Sequence, residues 1–423
     1  MSPSTVPGRW NDVARGAGLV DAHGAVRQTV FAEMSALAVR TGAINLGQGF
    51  PDVDGPDHVA RAAIEAIAAG HNQYPPGTGT PALRQAVASH QERFYGLSPD
   101  PDTEVLVTTG ATEALAATVL ALAGPGDEVL TLEPFYDSYA AVIAMAGAEH
   151  VTVGLVAGEV GPHGRPAVGG RDAAFSIDVP ALVAAFSDRT RLVLLNTPHN
   201  PTGTVLTRAE LELVARLAAQ HDAVVVTDEV YEHLTFDGVQ HVPIATLPGM
   251  AARTLTISSA GKTLSFTGWK IGWVTGPADL VAAVRTVKQY LTYVSGAPFQ
   301  PAVAAALTDA DGRTDAYVRD LARSLAARRD LLCDGLTEAG FRVTVPQGTY
   351  FVVADGSALG HTDGAELCRE LPERAGVVGV PVSAFCRAGS ATARALAPAV
   401  RFTFVKQEPV LREAVSRLTR WRS

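Results

Sequence analysis

Short apolar runs rich in β-branched residues alternate along this chain with longer stretches whose apolar positions recur every three or four residues. Residues 104–109 (EVLVTT), 128–132, 191–195, 223–227 and 254–258 read as buried strands, each closed by turn residues or a helix-like stretch. Residues 60–69 predict an Ala-rich helix ending at Gly70, and 112–123 a helix following directly on Gly110. Such alternation implies a mostly parallel sheet covered on both faces, an α/β fold. From about Pro301 the texture changes. A long helix over 313–339 precedes strand-like runs at 342–345, 350–354 and 400–405, which suggests a smaller α+β domain. Residues 1–30 read as an extension without a core of its own, and the Gly/Pro-rich 158–171 as a surface loop. There are no internal repeats.

Composition narrows the class. A chain of 423 residues, 47% hydrophobic, suits one large domain and a smaller one. Charged residues at 18% are few for a free-standing monomer, so part of the surface is expected to be hidden in an oligomer. A net charge of −9 argues against nucleic acid or an anionic membrane surface as partner, although it allows a local cationic pocket. Cys333, Cys368 and Cys386 form no metal-like spacing, and their odd number argues against a disulfide framework. We expect reduced thiols, a cytoplasmic location and no metal site. The N-terminus lacks an apolar stretch with a cleavage site, and runs such as 114–123 are too short to span a membrane.

Four segments carry candidate chemistry. Lys262 is bracketed by small residues just after a strand (SSAGK), where burial is expected to lower its basicity and free the amine to condense with an aldehyde. Lys270 follows eight residues on, a cation suited to a phosphate, with Ser259 between strand and turn. Asp228 ends the run VVVTD, the place where open α/β sheets bind ligands, and Tyr231 lies three residues beyond. A carboxylate there suits a protonated pyridine nitrogen, although Asp228 taken alone reads more readily as a helix N-cap. Asn200, between prolines in NTPHNPTG, can present its amide rigidly, and His199 beside it is read as a loop histidine without a catalytic role. Finally, strand–Gly110–helix start (TGATEA) forms an anion site from free backbone N–H groups. No dinucleotide or P-loop pattern accompanies it.

As a set in this order, GATEA, NTPHNPTG, TDEVYEH, SSAGKTLSFTGWKIGW and VRFTF resemble the class I/II aminotransferases of fold type I, the pyridoxal 5′-phosphate (PLP) enzymes, over residues 30–423. The resemblance implies a large domain (residues 56–300) with a mostly parallel, seven-stranded-type sheet between helices. It also implies a small α+β domain (31–55 with 301–423) and a homodimer with shared active sites. Lys262 would be the Schiff-base lysine and the proton-transfer base, and Asp228 the partner of the ring nitrogen. Asn200 and Tyr231 would bond the ring oxygen, and Tyr136, or its neighbour Phe135, would stack on the ring. The Ala111 and Thr112 N–H groups, Ser259 and Lys270 would hold the phosphate, with Tyr74 reaching that of the neighbouring subunit. Arg401 would grip the substrate α-carboxylate, helped by Gly49. The reaction implied is a ping-pong exchange of an amino group between an amino acid and a 2-oxo acid.

The segments NLGQGFPD (45–52) and EPFYDSY (133–139) are similar to the branch holding kynurenine/glutamine, methionine and N-succinyldiaminopimelate aminotransferases, and FAEMSALA (31–38) and KQYL (288–291) to its actinobacterial succinyldiaminopimelate group. Kynurenine-type relatives place a tryptophan in the lid where this chain has Phe31, which argues against a kynurenine preference. Tyr290, Tyr293 and Lys288 fall where the family builds its side-chain pocket. A Lys288 facing that pocket would meet a distal carboxylate; otherwise it is a solvated helix lysine. The leading expectation is N-succinyl-LL-diaminopimelate with 2-oxoglutarate. The alternatives are a kynurenine/glutamine/methionine-type enzyme with cysteine-conjugate β-lyase activity, and a PLP-dependent lyase or cyclase of natural-product biosynthesis.

Overall fold

The predicted strands assemble into one sheet whose order brings their carboxyl ends together. The computed structural model describes residues 8–21, 23–158 and 175–422. Across the large sheet the strands run Val105–Thr109, Ile271–Thr275, Thr254–Ser259, Val224–Asp228, Thr190–Asn196, Glu128–Glu133, Glu149–Ala157 and the three-residue edge Phe175–Ile177. Ile271–Thr275 is antiparallel to both its neighbours, and Phe175–Ile177 is antiparallel to Glu149–Ala157. The remaining pairings are parallel, so the sheet is the expected mostly parallel one, with a short eighth strand at its edge. Apart from Arg191 and Val224 near their starts, its central strands are buried, which is why they read as continuous apolar runs rather than as alternation.

Helices start where the sequence supplies caps. Thr207 and Glu210 form a reciprocal capping box on Arg208–Gln220, and Thr80 caps Pro81–Tyr95, whose first residue is the proline favoured there. Helix Gly110–Leu122 follows Val105–Thr109 without a linker, because Gly110 takes the left-handed φ of 70° that makes the corner. The 26-residue helix Arg313–Glu338 matches the long helical period read after Pro301.

The C-terminal part builds a second, antiparallel sheet in the order Arg342–Thr344, Phe351–Asp355, Ala399–Thr403, Val380–Pro381. Ile44–Asn45 pairs in parallel with Val377–Val378, and helix Val30–Thr41 packs against Gly364–Arg374, so the early chain joins the late one. One core cluster runs from this part to Tyr231, three residues past strand Val224–Asp228 of the large sheet, joining the two at the pocket. The N-terminal extension is not bare. Helix Trp10–Gly16 docks on Asp137–Ala146 with Ala14 buried, and Gly16 lies so close that a Cβ there would sit 2.5 Å from that of Ala144. The predicted 158–171 loop lies outside the described residues from position 159 on. No described helix is long and apolar enough to cross a membrane.

Candidate active site

A cavity of about 370 Å³ opens at the carboxyl ends of the central strands. It is lined by Phe31, Gly49, Ala111, Thr112, Tyr136, Asn200, Asp228, Tyr231, Ser259, Lys262, Lys270 and Arg401, every predicted site residue except Tyr74. These residues lie up to 370 positions apart in sequence and meet because parallel strands of the large sheet end together beneath the small antiparallel sheet that carries Arg401.

Asp228 is the last residue of its strand and fully buried, and no helix follows it to cap. Tyr139 donates to its Oδ2 at 2.7 Å, and Asn196 Nδ2 donates to its backbone carbonyl at 2.8 Å. Burial pushes the carboxyl up to about 6, against the lowering pull of the Tyr139 hydroxyl, the Val230 N–H and Lys262. A positive group placed against it would relieve that cost. Asn196 Oδ1 also accepts from the Asn200 N–H at 2.7 Å, and Asn200 Oδ1 accepts from Arg401 Nη1 at 2.9 Å. With its oxygen so engaged, Asn200 has its NH₂ left for a ligand oxygen.

Arg401 is 2% exposed on the central strand of the small sheet, paired with Val353 and Val380. Its Nη2 donates to the Gly47 carbonyl at 2.7 Å, and its guanidinium lies 3.9 Å from the Phe351 ring centre and 4.6 Å from that of Phe385. Nε is buried without a partner, and among the described residues no carboxylate pairs with the side chain. Burial lowers it to about 10, so it remains charged at neutral pH. A desolvated fork with no anion is a carboxylate site awaiting its ligand. Gly49 is required beside it: a Cβ there would meet the Phe351 ring at 2.4 Å.

The phosphate side is equally specific. The Gly110 position lies 3.5 Å from Lys270 Nζ, measured from where a Cβ would be, and a Cβ on Gly272 would strike the Gly110 carbonyl carbon at 2.6 Å. Two glycines thus bring a helix start and a lysine together. Lys270 has a left-handed backbone (φ 55°), and the Ser259 hydroxyl makes no capping bond to the four-residue helix Ala260–Thr263. Backbone N–H groups, a hydroxyl and an ammonium facing one space form a cradle for a dianion. Together with Asp228 for a ring nitrogen and Tyr136 on one wall, the donor set fits PLP.

Lys262 departs from expectation in one respect. Burial alone lowers its basicity, but the Tyr350 and Tyr136 hydroxyls and the Asp228 carboxylate outweigh it, leaving the ammonium above the ordinary lysine range. Its Nζ lies 5.8 Å from the ring centres of both Tyr231 and Tyr350. The sequence could report small neighbours but not three oxygens from distant elements.

Other residues resolve open choices. Phe135 packs into the core, edge-on to His150, so Tyr136 is the ring that faces the cavity. Tyr74 is 80% exposed and outside the cavity, edge-on to Tyr293. Lys288 is neither a pocket residue nor a solvated one. It is 2% exposed, and its ammonium donates to the carbonyls of Gly77 at 2.8 Å and Tyr293 at 2.6 Å. His199 is buried against Thr202 and pushed down to about 4 by burial, hence neutral. Sequence reading missed Tyr139, Asn196, Tyr350, Phe351 and Phe385. Only Asn196 and Tyr139 sat in quoted motifs, and only Asn196 had a partner nearby in sequence, the Asn200 N–H.

The family model described as aminotransferase class I and II matches residues 41–418. The chain is 55% identical to the probable N-succinyldiaminopimelate aminotransferase DapC of Mycobacterium tuberculosis, over 92% of this chain and 95% of that protein. It is 40% identical to the methionine aminotransferase of Escherichia coli, again over 92% and 95%. The solved structure of the N-succinyldiaminopimelate aminotransferase from Mycobacterium tuberculosis superposes with a TM-score of 0.88 at 52% identity, covering 99% of this chain and 100% of that one.

Proposed function

We propose, for a chain that belongs to the class I and II aminotransferases and is therefore a PLP-dependent aminotransferase, that the cavity binds PLP and transaminates N-succinyl-LL-diaminopimelate with 2-oxoglutarate as acceptor. The observation that carries the reading is Arg401, a buried cation that no carboxylate pairs with among the described residues, lining the same cavity as Lys262 and Asp228. When bound, PLP supplies an aldehyde that takes up the amino group and a ring that spreads the charge left at the substrate α-carbon.

The residues of the chain do the rest. The Ala111 and Thr112 N–H groups, Ser259 and Lys270 anchor the phosphate. Asp228, held by Tyr139, keeps a proton at the ring nitrogen, and Asn200 and Tyr231 donate to the ring oxygen. Tyr136 covers one face. Arg401 binds the α-carboxylate with both terminal nitrogens, which sets the α-proton toward Lys262. Lys262, as the neutral amine, would take up that proton at Nζ and give it back, serving as the proton-transfer base. Phe31 and the surrounding rings exclude water above Arg401, from which Phe31 lies 5.4 Å.

Succinyldiaminopimelate as the substrate is supported by the 55% identity to the Mycobacterium tuberculosis protein. The site is proposed to be completed in a homodimer. Tyr74 projects from its own chain, and Lys288 ties its loop at Gly77 to the exposed Tyr290–Tyr293 turn, a rigid aromatic surface suited to a second copy. We assign residues 56–300 to the large domain, 31–55 with 301–423 to the small one, and the enzyme to the cytoplasm, where its three free cysteines stay reduced.

A half-reaction screen tests the substrate. Purified holoenzyme is mixed with single amino acids while the absorbance of the bound cofactor is followed. Conversion by N-succinyl-LL-diaminopimelate and glutamate is expected. Far faster conversion by methionine or glutamine would overturn the assignment, and pyruvate release from a cysteine conjugate without an acceptor would mark a lyase.

A further inference from the structure

The segment Asp228–His233 has a second face that transamination does not use. Asp228 and Tyr231 line the cavity, whereas Glu229, Glu232 and His233 point behind it. His90, on helix Pro81–Tyr95, and His233 bring their Nε2 atoms to 2.7 Å. The Glu232 carboxylate completes a trio whose ligand atoms all lie within 4.8 Å of one another. His90 and Glu232 are buried and His233 is half-buried. A separate cavity of about 270 Å³, bounded also by Arg93, Asp315 and Ala322, reaches both imidazoles, so the trio has a path to solvent.

Glu232 accepts from Tyr95 at 2.6 Å and from Ser258 at 2.5 Å, and among the described residues no Lys or Arg pairs with it. Burial disfavours charge on both imidazoles, pushing His90 down to about 4 and lowering His233 against the opposing pull of Glu232. The other nitrogen of His90, Nδ1, is buried with no partner. Arg93, the nearby cation, is engaged with Asp315 through two bonds of 3.2 Å.

We propose that His90, Glu232 and His233 bind one divalent cation of the zinc class, with the fourth position open to the cavity. Two imidazoles and one carboxylate around an open position is a zinc ligand set, and Tyr95 and Ser258 orient the carboxylate from outside. Tetrahedral bonds of about 2.0–2.1 Å need the two nitrogens about 3.4 Å apart. The rings must therefore part by roughly 0.7 Å, and the cavity beside His233 leaves room for it. The bound ion fastens helix Pro81–Tyr95 to the segment that carries Asp228 and Tyr231. The site stands on different residues from the cofactor pocket and does not depend on the substrate assignment.

Co²⁺ titration of untagged holoenzyme tests it through the d–d bands of a tetrahedral ion. Saturation at one Co²⁺ per chain is expected, displaced by Zn²⁺, abolished in the His90→Gln/His233→Gln double variant and weakened at least tenfold in Glu232→Gln. Absence of a stoichiometric site, or bands that persist in the double variant, would leave only an N–H···N bond between the histidines. Should the double variant not fold, X-ray absorption of the zinc-loaded wild-type enzyme decides instead. Two imidazoles per zinc are expected; fewer than two, or sulfur in the shell, overturns the proposal.

Discussion

On the cavity side of the 228–233 segment, three cations (Lys262, Lys270 and Arg401) face a single carboxylate, Asp228. On the reverse side, two carboxylates, Glu229 and Glu232, lie among three imidazoles, and among the described residues no lysine or arginine pairs with them. One pair there is settled: Glu229 holds His241 at 2.7 Å, and its charge outweighs burial in raising that imidazole above its ordinary range. Glu232 is held instead by the Tyr95 and Ser258 hydroxyls and by the nearby His90 and His233, which keep its carboxyl below the ordinary range against burial. The front is short of anions and the back is short of a cation. Because an unpaired buried charge is costly, each side favours a ligand of the charge it lacks.

The comparison can be broken most sharply at Lys262. Lys262→Ala removes the residue on which the front reading turns, and kcat is expected to fall by roughly 10⁴-fold or more. Single-turnover kinetics check this, and normal turnover would sink the assignment. Arg401→Leu comes next. It should cost roughly 10²–10³-fold in kcat/KM for amino acid and oxo acid alike, since a buried carboxylate loses its partner. The same change should raise the melting temperature of the cofactor-free chain, because a desolvated charge leaves an aromatic box. A fall in both activity and stability would show that the box is not strained by its cation.

Asp228→Asn sharpens the point through pH. The Asp228 carboxyl in the folded chain ionises near 6 rather than 3.8, because burial raises it. The folded state therefore holds a proton that the unfolded state has released. Its contribution to stability is lost as pH rises from about 4 to 6, and the deficit persists at pH 7, of order 3 kcal/mol. In cofactor-free protein the asparagine variant is expected to be more stable at pH 7 by about 1–3 kcal/mol, with the gain vanishing near pH 4, while kcat drops steeply. Denaturant titrations at the two pH values measure it. A smaller effect belongs to Tyr139→Phe, which strips Asp228 of one donor and should lower kcat about tenfold. Smallest is Ser258→Ala on the reverse face, expected to cost about 1 kcal/mol of stability with kcat unchanged within twofold.

Much of the front site was legible because its residues sit next to recognisable corners. Asn200 lies between prolines, Asp228 at the end of a β-branched run, and Lys262 and Ser259 at a strand-to-helix step, so local pattern already placed them at strand ends. The groups that tune them were not legible. Tyr139 acts on Asp228 across 89 positions, and Tyr350 reaches Lys262 from 88 positions away. That is why the basicity expected for Lys262 was reversed in sign. Lys288 shows the same limit. Its spacing offered a pocket or solvent, and the fold instead spent its charge on two carbonyls. On the reverse face nothing was expected, because His90 and His233 lie 143 positions apart and neither spacing nor composition marks the pair.

By itself the sequence determined the succession of strands and helices, the glycine corner at residue 110 and the order of the cofactor motifs, because these depend on residues within a turn or two of one another. Only the tertiary structure decided which charges meet. Desolvation and pairing act through space, and the same six residues from Asp228 to His233 face a cation-rich cavity on one side and a cation-poor cluster on the other.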